Sequence, residues 1–399
     1  MKPHGTVPHW FDHKRMSAVC AATDITPAFV YDFGVVREKV AALRVSLPDG
    51  VGIHYAMKAN PLPEMVAAMV PLVDGIDIAS GGELVVAREA AAKHISFAGP
   101  GKRDIELEAA IAAHITINLE SESEASRALA IAGRLGVVPK LAVRVNPDFS
   151  LKGSGMKMGG GAAAFGVDAE HVAPLVRSLI AAGADWRGFH IFAGSQALDS
   201  DAIAETQAAT VALADRLAGE IGEVPPLVNI GGGFGIPYFA NEKAVDLTMI
   251  GARLGDTLAA RSDNLAKSRF AVELGRWLVG ECGVYLTRVI DRKVSRGETF
   301  LVTDGGLHHQ LAASGNFGTV VRRNYPIAVA NKIDATATET INVVGCLCTP
   351  LDKLGDQVLL PRADVGDVIA VFMAGAYGAT ASPASFLGHG PALEVMIGK

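Results

Sequence analysis

Three segments carry residue types that do chemistry in company. Tyr55-Ala56-Met57-Lys58-Ala59-Asn60-Pro61 puts a lysine directly after a short β-like run. An amine at such a strand end, shielded from water, has a lowered pKa and becomes nucleophilic. Gly231-Gly232-Gly233-Phe234-Gly235 follows a second run. Consecutive glycines there expose backbone N–H groups that can hold a phosphate, aided by the positive end of a following helix. Glu273-Leu274-Gly275-Arg276 ends a third run with a carboxylate and a guanidinium. A surface lysine is an equally good reading of Lys58 taken alone, and a tight turn would explain the glycines. That turn is the weaker reading, because three glycines cost backbone entropy without evident return. Two further runs end in Asp77-Ile78-Ala79-Ser80-Gly81-Gly82-Glu83 and His190-Ile191-Phe192-Ala193-Gly194-Ser195-Gln196; a helix N-cap accounts for Ser80 equally well. No Gly-Lys-Ser/Thr follows the glycines, so a Walker loop does not fit.

An amine, a phosphate cradle and a strand-end carboxylate are what pyridoxal phosphate needs: attachment, anchorage, and a partner that keeps the pyridine nitrogen protonated. A sugar-phosphate aldolase working through a lysine imine uses the first two parts and leaves Glu273 without a task.

The elements that must position these residues alternate. β-like runs at Gly52–Ala56, Gly75–Ala79, Ile95–Ala98, Thr116–Leu119, Leu141–Val145, Gly188–Phe192, Leu227–Ile230 and Phe270–Glu273 are separated by Ala-rich stretches. Among these, Gly82–Ala92, Ile105–Ala113, Glu122–Leu135 and Ala169–Ala182 have helical apolar spacing. Eight such units predict a (β/α)8 TIM-like barrel over residues 30–275, with a doubly wound open sheet as runner-up. Beyond Glu273 the texture turns to strands and turns: Val284–Arg292, Thr299–Thr303, Thr340–Val344, Gln357–Leu360 and Asp367–Ala374. This predicts a C-terminal mainly-β domain, sandwich- or barrel-like, over 276–399. Residues 1–29 are expected to join it, with Phe29–Tyr31 as a strand in its sheet.

The chain has 399 residues, half of them hydrophobic, and 36 Lys plus Arg against 42 Asp plus Glu give a net charge of −6. Disorder is excluded. With no basic block, nucleic acid and anionic membranes are not expected partners. No secretory leader or ~18-residue apolar span is visible. Four cysteines (Cys20, Cys282, Cys346, Cys348) make no disulfide framework; a reducing cytoplasm is the expected compartment. Cys346-x-Cys348 is too closely spaced for a zinc knuckle, and no metal is expected.

At these motifs the chain resembles the alanine racemase-like barrel decarboxylases that use pyridoxal phosphate, the diaminopimelate and ornithine decarboxylase family. The resemblance runs from about Phe29 to Ile397. It implies that Lys58 carries the cofactor covalently, that Glu273 faces the pyridine nitrogen, and that Asp77 and Glu83 fill the acidic positions of the second-strand motif. It also implies that Ser195, Gly231, Gly232, Gly233, Gly275, Arg276 and Tyr377 hold the phosphate. Cys348, with Asp352, resembles the cysteine motif that reaches a neighbouring subunit's site and reprotonates Cα, implying a head-to-tail homodimer. Arg322 or Arg323, beside Asn324-Tyr325-Pro326, matches the region of a substrate-binding arginine.

Two departures stand out. Where the family has a second histidine stacked on the pyridine ring, His190 is followed by Phe192, which can stack but carries no proton. Where an acidic residue commonly follows the cysteine, this chain has Thr349, removing the partner of a distal substrate ammonium. Together with Gly153 to Phe165 and Cys346 to Pro350, these features look closest to the branch associated with exosortase and exopolysaccharide gene clusters. A neighbouring branch acts on modified or carrier-tethered amino acids of secondary metabolism. The expected substrate is an amino acid or conjugate, with an acyl carrier protein as one partner. A racemase sharing the cofactor, and a non-catalytic homologue, are the alternatives.

Overall fold

The structure, a computed structural model, describes residues 7–8, 10–153, 155–157, 159–315 and 323–399. Two compact units divide the chain: Lys39–Ile236 with Ala244–Gly275, and Met1–Glu38 with Pro237–Lys243 and Arg276–Lys399.

Helix α1 (His13–Ala21), strand β1 (Ala28–Asp32) and helix α2 (Phe33–Ser46) come first. There follow β2 (Val51–Ala56), α3 (Pro63–Met69), β3 (Gly75–Ile78), α4 (Gly81–Glu89), β4 (Ile95–Phe97), α5 (Asp104–Ala112), β5 (Thr116–Leu119), α6 (Glu122–Leu135) and β6 (Lys140–Asn146). After short β7 (Met156–Lys157) and β8 (Val167–Asp168) come α7 (Ala169–Ala181), β9 (Asp185–Ile191), short β10 (Gly194–Ser195), α8 (Ser200–Ile221), β11 (Leu227–Gly232), α9 (Leu247–Ala259) and β12 (Arg269–Leu274). Strands β2, β3, β4, β5, β6, β9, β11 and β12 pair in that order, all parallel, and β12 returns to β2. That last pairing closes a (β/α)8 barrel and removes the open-sheet reading.

Helices cover the strands from outside, so the strands are buried on both faces and read as continuous apolar runs. Ile53, Tyr55, Leu141, Val143, Val228 and Val272 are wholly buried. Helix ends obey local chemistry. Ser80 Oγ accepts the Glu83 N–H at 3.2 Å at the start of α4, and left-handed glycines end α6 (Gly136, φ 66°) and α8 (Gly222, φ 83°).

In the second unit, short α10 (Arg276–Val279) precedes β13 (Gly283–Ser295), β14 (Glu298–Thr303), β15 (Ile327–Val329), β16 (Glu339–Val344), β17 (Lys353–Leu360), β18 (Val368–Val371) and β19 (Leu393–Ile397). The sheet order is β15-β18-β13-β14-β16-β17, and β1 lies between β13, antiparallel, and β19, parallel. A two-residue turn, Arg296-Gly297, with φ of 50° and 85°, joins β13 to β14; positive φ at both positions matches the strands' right-handed twist. Among the described residues, no helix is long and apolar enough to cross a membrane.

Candidate active site

Strand β2 runs into a single 3-10 turn, Met57–Ala59, whose outer residues are buried while Lys58 is exposed. The turn is held tightly. The Tyr55 hydroxyl donates to the Asn60 carbonyl at 2.7 Å. A Cβ on Gly275 would lie 2.9 Å from both the Ala56 oxygen and the Ala59 Cβ, so glycine lets the chain after β12 lie against it. Lys58 Nζ sits 5.9 Å from the centre of the Phe192 ring. Beside it, half-buried Glu83 accepts the Ala79 N–H at 2.6 Å. Burial pushes the Glu83 carboxyl up, against the opposing pull of that hydrogen bond and of the Lys58 charge.

Inside the strand ends, polar side chains pair between adjacent strands and across strands that are not adjacent in the sheet. His190 Nε2 on β9 meets Glu273 Oε2 on β12 at 2.6 Å, with both residues buried. Burial alone would raise the Glu273 pKa. The His190 charge and hydrogen bond, with Lys58 and Arg144 behind them, outweigh it and hold the carboxyl well below the usual carboxylate range. His54 Nδ1 on β2 lies 3.2 Å from Asp77 Oδ1 on β3. Burial there works to lower the imidazole's pKa, but the Asp77 charge prevails and raises it. Asn229 donates to the other Asp77 oxygen at 3.5 Å and accepts the Gly231 N–H at 3.0 Å. It thereby links the carboxylate to the glycine turn.

In that turn Gly231 and Gly233 have φ of 68° and 79°. A Cβ on Gly231 would lie 2.6 Å from the Ile191 oxygen, while one on Gly232 or Gly233 would enter the Glu273 or Gly194 carbonyl. The triplet therefore has the return that sequence reasoning did not find: close backbone approach to β9, β10 and β12. Ser195 is half-buried in β10, which pairs with β7. The next side chain, Gln196, clamps both backbone groups of Ile236, at 2.7 Å and 3.2 Å.

Pyridoxal phosphate fits this set: an exposed amine, an aromatic face beside it, and a buried carboxylate held ionised. A cavity of about 1000 Å³ opens at the opposite, N-terminal ends of the strands, lined in part by Lys93, Lys140, Arg187 and Arg269. Barrel chemistry takes place at the C-terminal ends; His54 and Asn229 line this cavity from the other side.

The second unit gathers the remaining expected residues into two groups. Arg276 donates to the Tyr238 hydroxyl at 2.7 Å and lies 4.7 Å from the centre of the Tyr377 ring. Tyr238 in turn packs 4.9 Å from Tyr325. Arg323 stacks 3.7 Å over Phe239 and pairs with Glu242 at 3.2 Å; Arg322 lies outside the described residues. The second group surrounds the cysteines. Cys348 is exposed, and the Thr349 hydroxyl accepts the Leu351 N–H at 3.3 Å in a local turn.

Asp352 is 2% exposed, and its two oxygens accept the Leu307 and Leu347 N–H groups at 2.7 and 2.8 Å. It is a clamp between two loops, and burial raises its pKa despite those bonds.

Sequence reasoning missed His54, Asn229 and Arg144. Arg144 bonds Glu120 at 2.8 Å, both buried, and its register partner across the strands is His190. The available signal was polar residues at alternate positions inside apolar strands, as in Leu141-Ala142-Val143-Arg144-Val145-Asn146, which in a barrel point inward.

A closed parallel barrel with this strand-end set, in a chain that adds a separate β sheet, defines a barrel-fold pyridoxal-phosphate enzyme. The model of the "Pyridoxal-dependent decarboxylase, pyridoxal binding domain" matches residues 33–280, and the chain belongs to that family of carboxy-lyases. It is 36% identical to the L-glutamyl-[BtrI acyl-carrier protein] decarboxylase of Niallia circulans, over 93% of this chain and 88% of that one. It is 32% identical to the diaminopimelate decarboxylase of Aquifex aeolicus, over 90% and 83% of the two chains. The crystal structure of diaminopimelate decarboxylase from Helicobacter pylori complexed with L-lysine superposes with a TM-score of 0.82 at 26% identity, covering 97% and 94%.

Proposed function

We propose that the protein removes the α-carboxylate of an amino acid whose distal end carries no free ammonium, a carrier-tethered or otherwise conjugated amino acid. Lys58 is the cofactor's lysine and Glu273 the partner of its pyridine nitrogen. One observation carries the chemistry: the Glu273 carboxylate is held ionised by His190, 2.6 Å away, with the Lys58 charge acting in the same direction. When bound, pyridoxal phosphate takes up the electron pair left on Cα as carbon dioxide departs. The chain supplies the rest. Lys58 offers the amine, Phe192 an aromatic face, and the turn at Gly231 to Gly233, with Ser195, hydrogen-bond donors for the phosphate.

The substrate reading rests on the segment from Cys346 to Asp352. Its one carboxylate, Asp352, is committed to two backbone amides, and Thr349 brings none. An unpaired buried ammonium costs several kcal/mol, enough to erase much of the affinity for free lysine or ornithine. The relative that acts on a carrier-bound glutamyl group points the same way. A carbon dioxide release screen over glutamyl-carrier protein, free glutamate, diaminopimelate, lysine and ornithine is the test. Turnover of the carrier-bound substrate above the free amino acids is expected; brisk release from lysine or ornithine would end the Thr349 argument.

We further propose a two-fold homodimer in which Cys348 returns the proton to Cα in the neighbouring copy's site. Inactive Lys58→Ala and Cys348→Ala proteins, mixed under subunit exchange, should recover up to about a quarter of the wild-type sites. Exchange without recovery would put both residues in one chain's site.

A further inference from the structure

Two adjacent histidines in the second unit are treated very differently by the fold. His309 is fully engaged: its Nδ1 faces the Tyr285 hydroxyl at 3.1 Å and its Nε2 donates to the Gly390 carbonyl at 3.0 Å. His308 is wholly buried, yet among the described residues neither of its ring nitrogens has a hydrogen-bond partner. Native proteins seldom leave a buried imidazole unsatisfied.

The groups beside it are metal ligands. One nitrogen of His308, the Cys346 sulfur and one nitrogen of His389 all lie within 4.8 Å of one another. Cys346 Sγ is 4.0 Å from either nitrogen of His389, and the His308 and His389 ring centres are 4.8 Å apart. We propose that His308, Cys346 and His389 bind a divalent transition-metal ion, zinc by preference, at a site separate from the pyridoxal chemistry.

Two imidazoles and a thiolate suit zinc and its neighbours and disfavour magnesium or calcium, which take oxygen ligands. Tetrahedral zinc needs bonds of about 2.3 Å to sulfur and about 2.0–2.1 Å to nitrogen, so the three atoms must close in slightly. His389 can supply that movement, because its side chain is exposed. Three protein ligands leave the fourth position for water. The Cys346 thiol, now donating to the Asp304 carbonyl at 3.5 Å, gives its proton to solvent as the thiolate binds, one proton per ion. The short Cys346-x-Cys348 spacing argued against a zinc knuckle, but this site uses only one of those cysteines and draws its histidines from distant loops.

The ion would tie together the loop after β14, the loop between β16 and β17, and the segment before β19. Cys346 is two residues from Cys348, so the ion would fix the backbone that carries the exposed cysteine. Asp352 already fastens the same segment to Leu307 through Leu347.

The test uses tag-free, cofactor-loaded enzyme that has been stripped with a chelator and desalted, then titrated with Co2+ alone and back-titrated with Zn2+. One cobalt per chain is expected, with tetrahedral d–d bands at the red end of the spectrum and a thiolate-to-cobalt charge-transfer band. Zinc should displace the cobalt and raise the melting temperature. Cys346→Ser should remove the charge-transfer band and His389→Ala should weaken cobalt binding at least tenfold, while Cys348→Ser leaves both intact. His389 is exposed, so its variant serves if Cys346→Ser does not fold. Substoichiometric cobalt, or a cobalt spectrum indifferent to Cys346→Ser and His389→Ala, would overturn the assignment.

Discussion

The barrel's strand ends and the loops of the β unit handle buried polarity in opposite ways. At the barrel's strand ends, buried charge meets opposite charge: His190 with Glu273, and Arg144 with Glu120. In the β-unit loops, Asp352 meets only backbone amides, and His308 meets no hydrogen-bond donor or acceptor among the described residues. The cause lies in the backbone. Parallel strands set neighbours at a common level, so that Arg144 and Asn229 are both register partners of His190, and Glu273 is the register partner of His54. Loops have no register, so His309 finds the Tyr285 hydroxyl and the Gly390 carbonyl while its neighbour His308 finds no such partner among the described residues. A site built on strands comes with its electrostatics prearranged; one built on loops is completed by what binds there.

The sharpest way to break this comparison is Lys58→Ala. With its amine gone, carbon dioxide release should fall by more than about a thousandfold, and the cofactor absorbance that borohydride bleaches should vanish with it. An active variant without added amine would remove the barrel's claim to the chemistry. Lys58→Arg should not rescue it, because a guanidinium stays protonated. Next comes Glu273→Gln, expected to retain cofactor while slowing turnover by about a hundredfold to a thousandfold, the usual cost of one preorganised electrostatic group. Near-normal rates would show that the carboxylate is structural.

The third test asks whether the barrel's pairs matter to the fold itself. His190→Ala leaves Glu273 buried without its partner, at a cost of about 3–5 kcal/mol in denaturant unfolding. It should also change the acid limb. Glu273 titrates below its ordinary 4.5 in the folded chain, so the folded state binds fewer protons there. The stability this gives is complete above pH 4.5 and is lost as pH falls through the depressed folded value. In the variant burial acts without the imidazole's opposition, the carboxyl protonates at higher pH, and stability should depend less on pH in that acid window. An unchanged acid limb would mean that the pair is energetically silent. The smallest effect on the cofactor belongs to the loops. Asp352→Ala strands two buried amides, costing about 1–3 kcal/mol each, and should lower the melting temperature while leaving cofactor absorbance untouched.

Much of the barrel is legible in its sequence, because parallel strands buried on both faces write apolar runs and each must be followed by a helix. The run expected at Gly75–Ala79 is the strand Gly75–Ile78, and that expected at Thr116–Leu119 is found at those residues. Lys58, Glu273 and the glycine triplet could be found because they stand where runs end. Their partners could not. Nothing in the order of residues says that His54 faces Asp77, or that His190 reaches across to Glu273, since pairing depends on register between strands far apart in the chain. The partners of Asp352 were hidden for the same reason: only the folded chain brings the Leu307 and Leu347 amides to its two oxygens. His308 carried no signal at all, being one histidine of an adjacent pair whose difference lies only in three dimensions.

The placement of β1 between β13 and β19 also bears on how the chain reaches its fold. Ala28 pairs with Leu286 on one side and with Leu393 on the other, so this strand stays unpaired until segments hundreds of residues downstream arrive. Closing loops of that span is entropically slow. Every barrel strand, by contrast, is made before Gly283, so the barrel can complete its hydrogen bonding while β1 still waits. The expected order of assembly is barrel first and β sheet last, with the exposed edge of β1 as the stretch most in need of protection during synthesis.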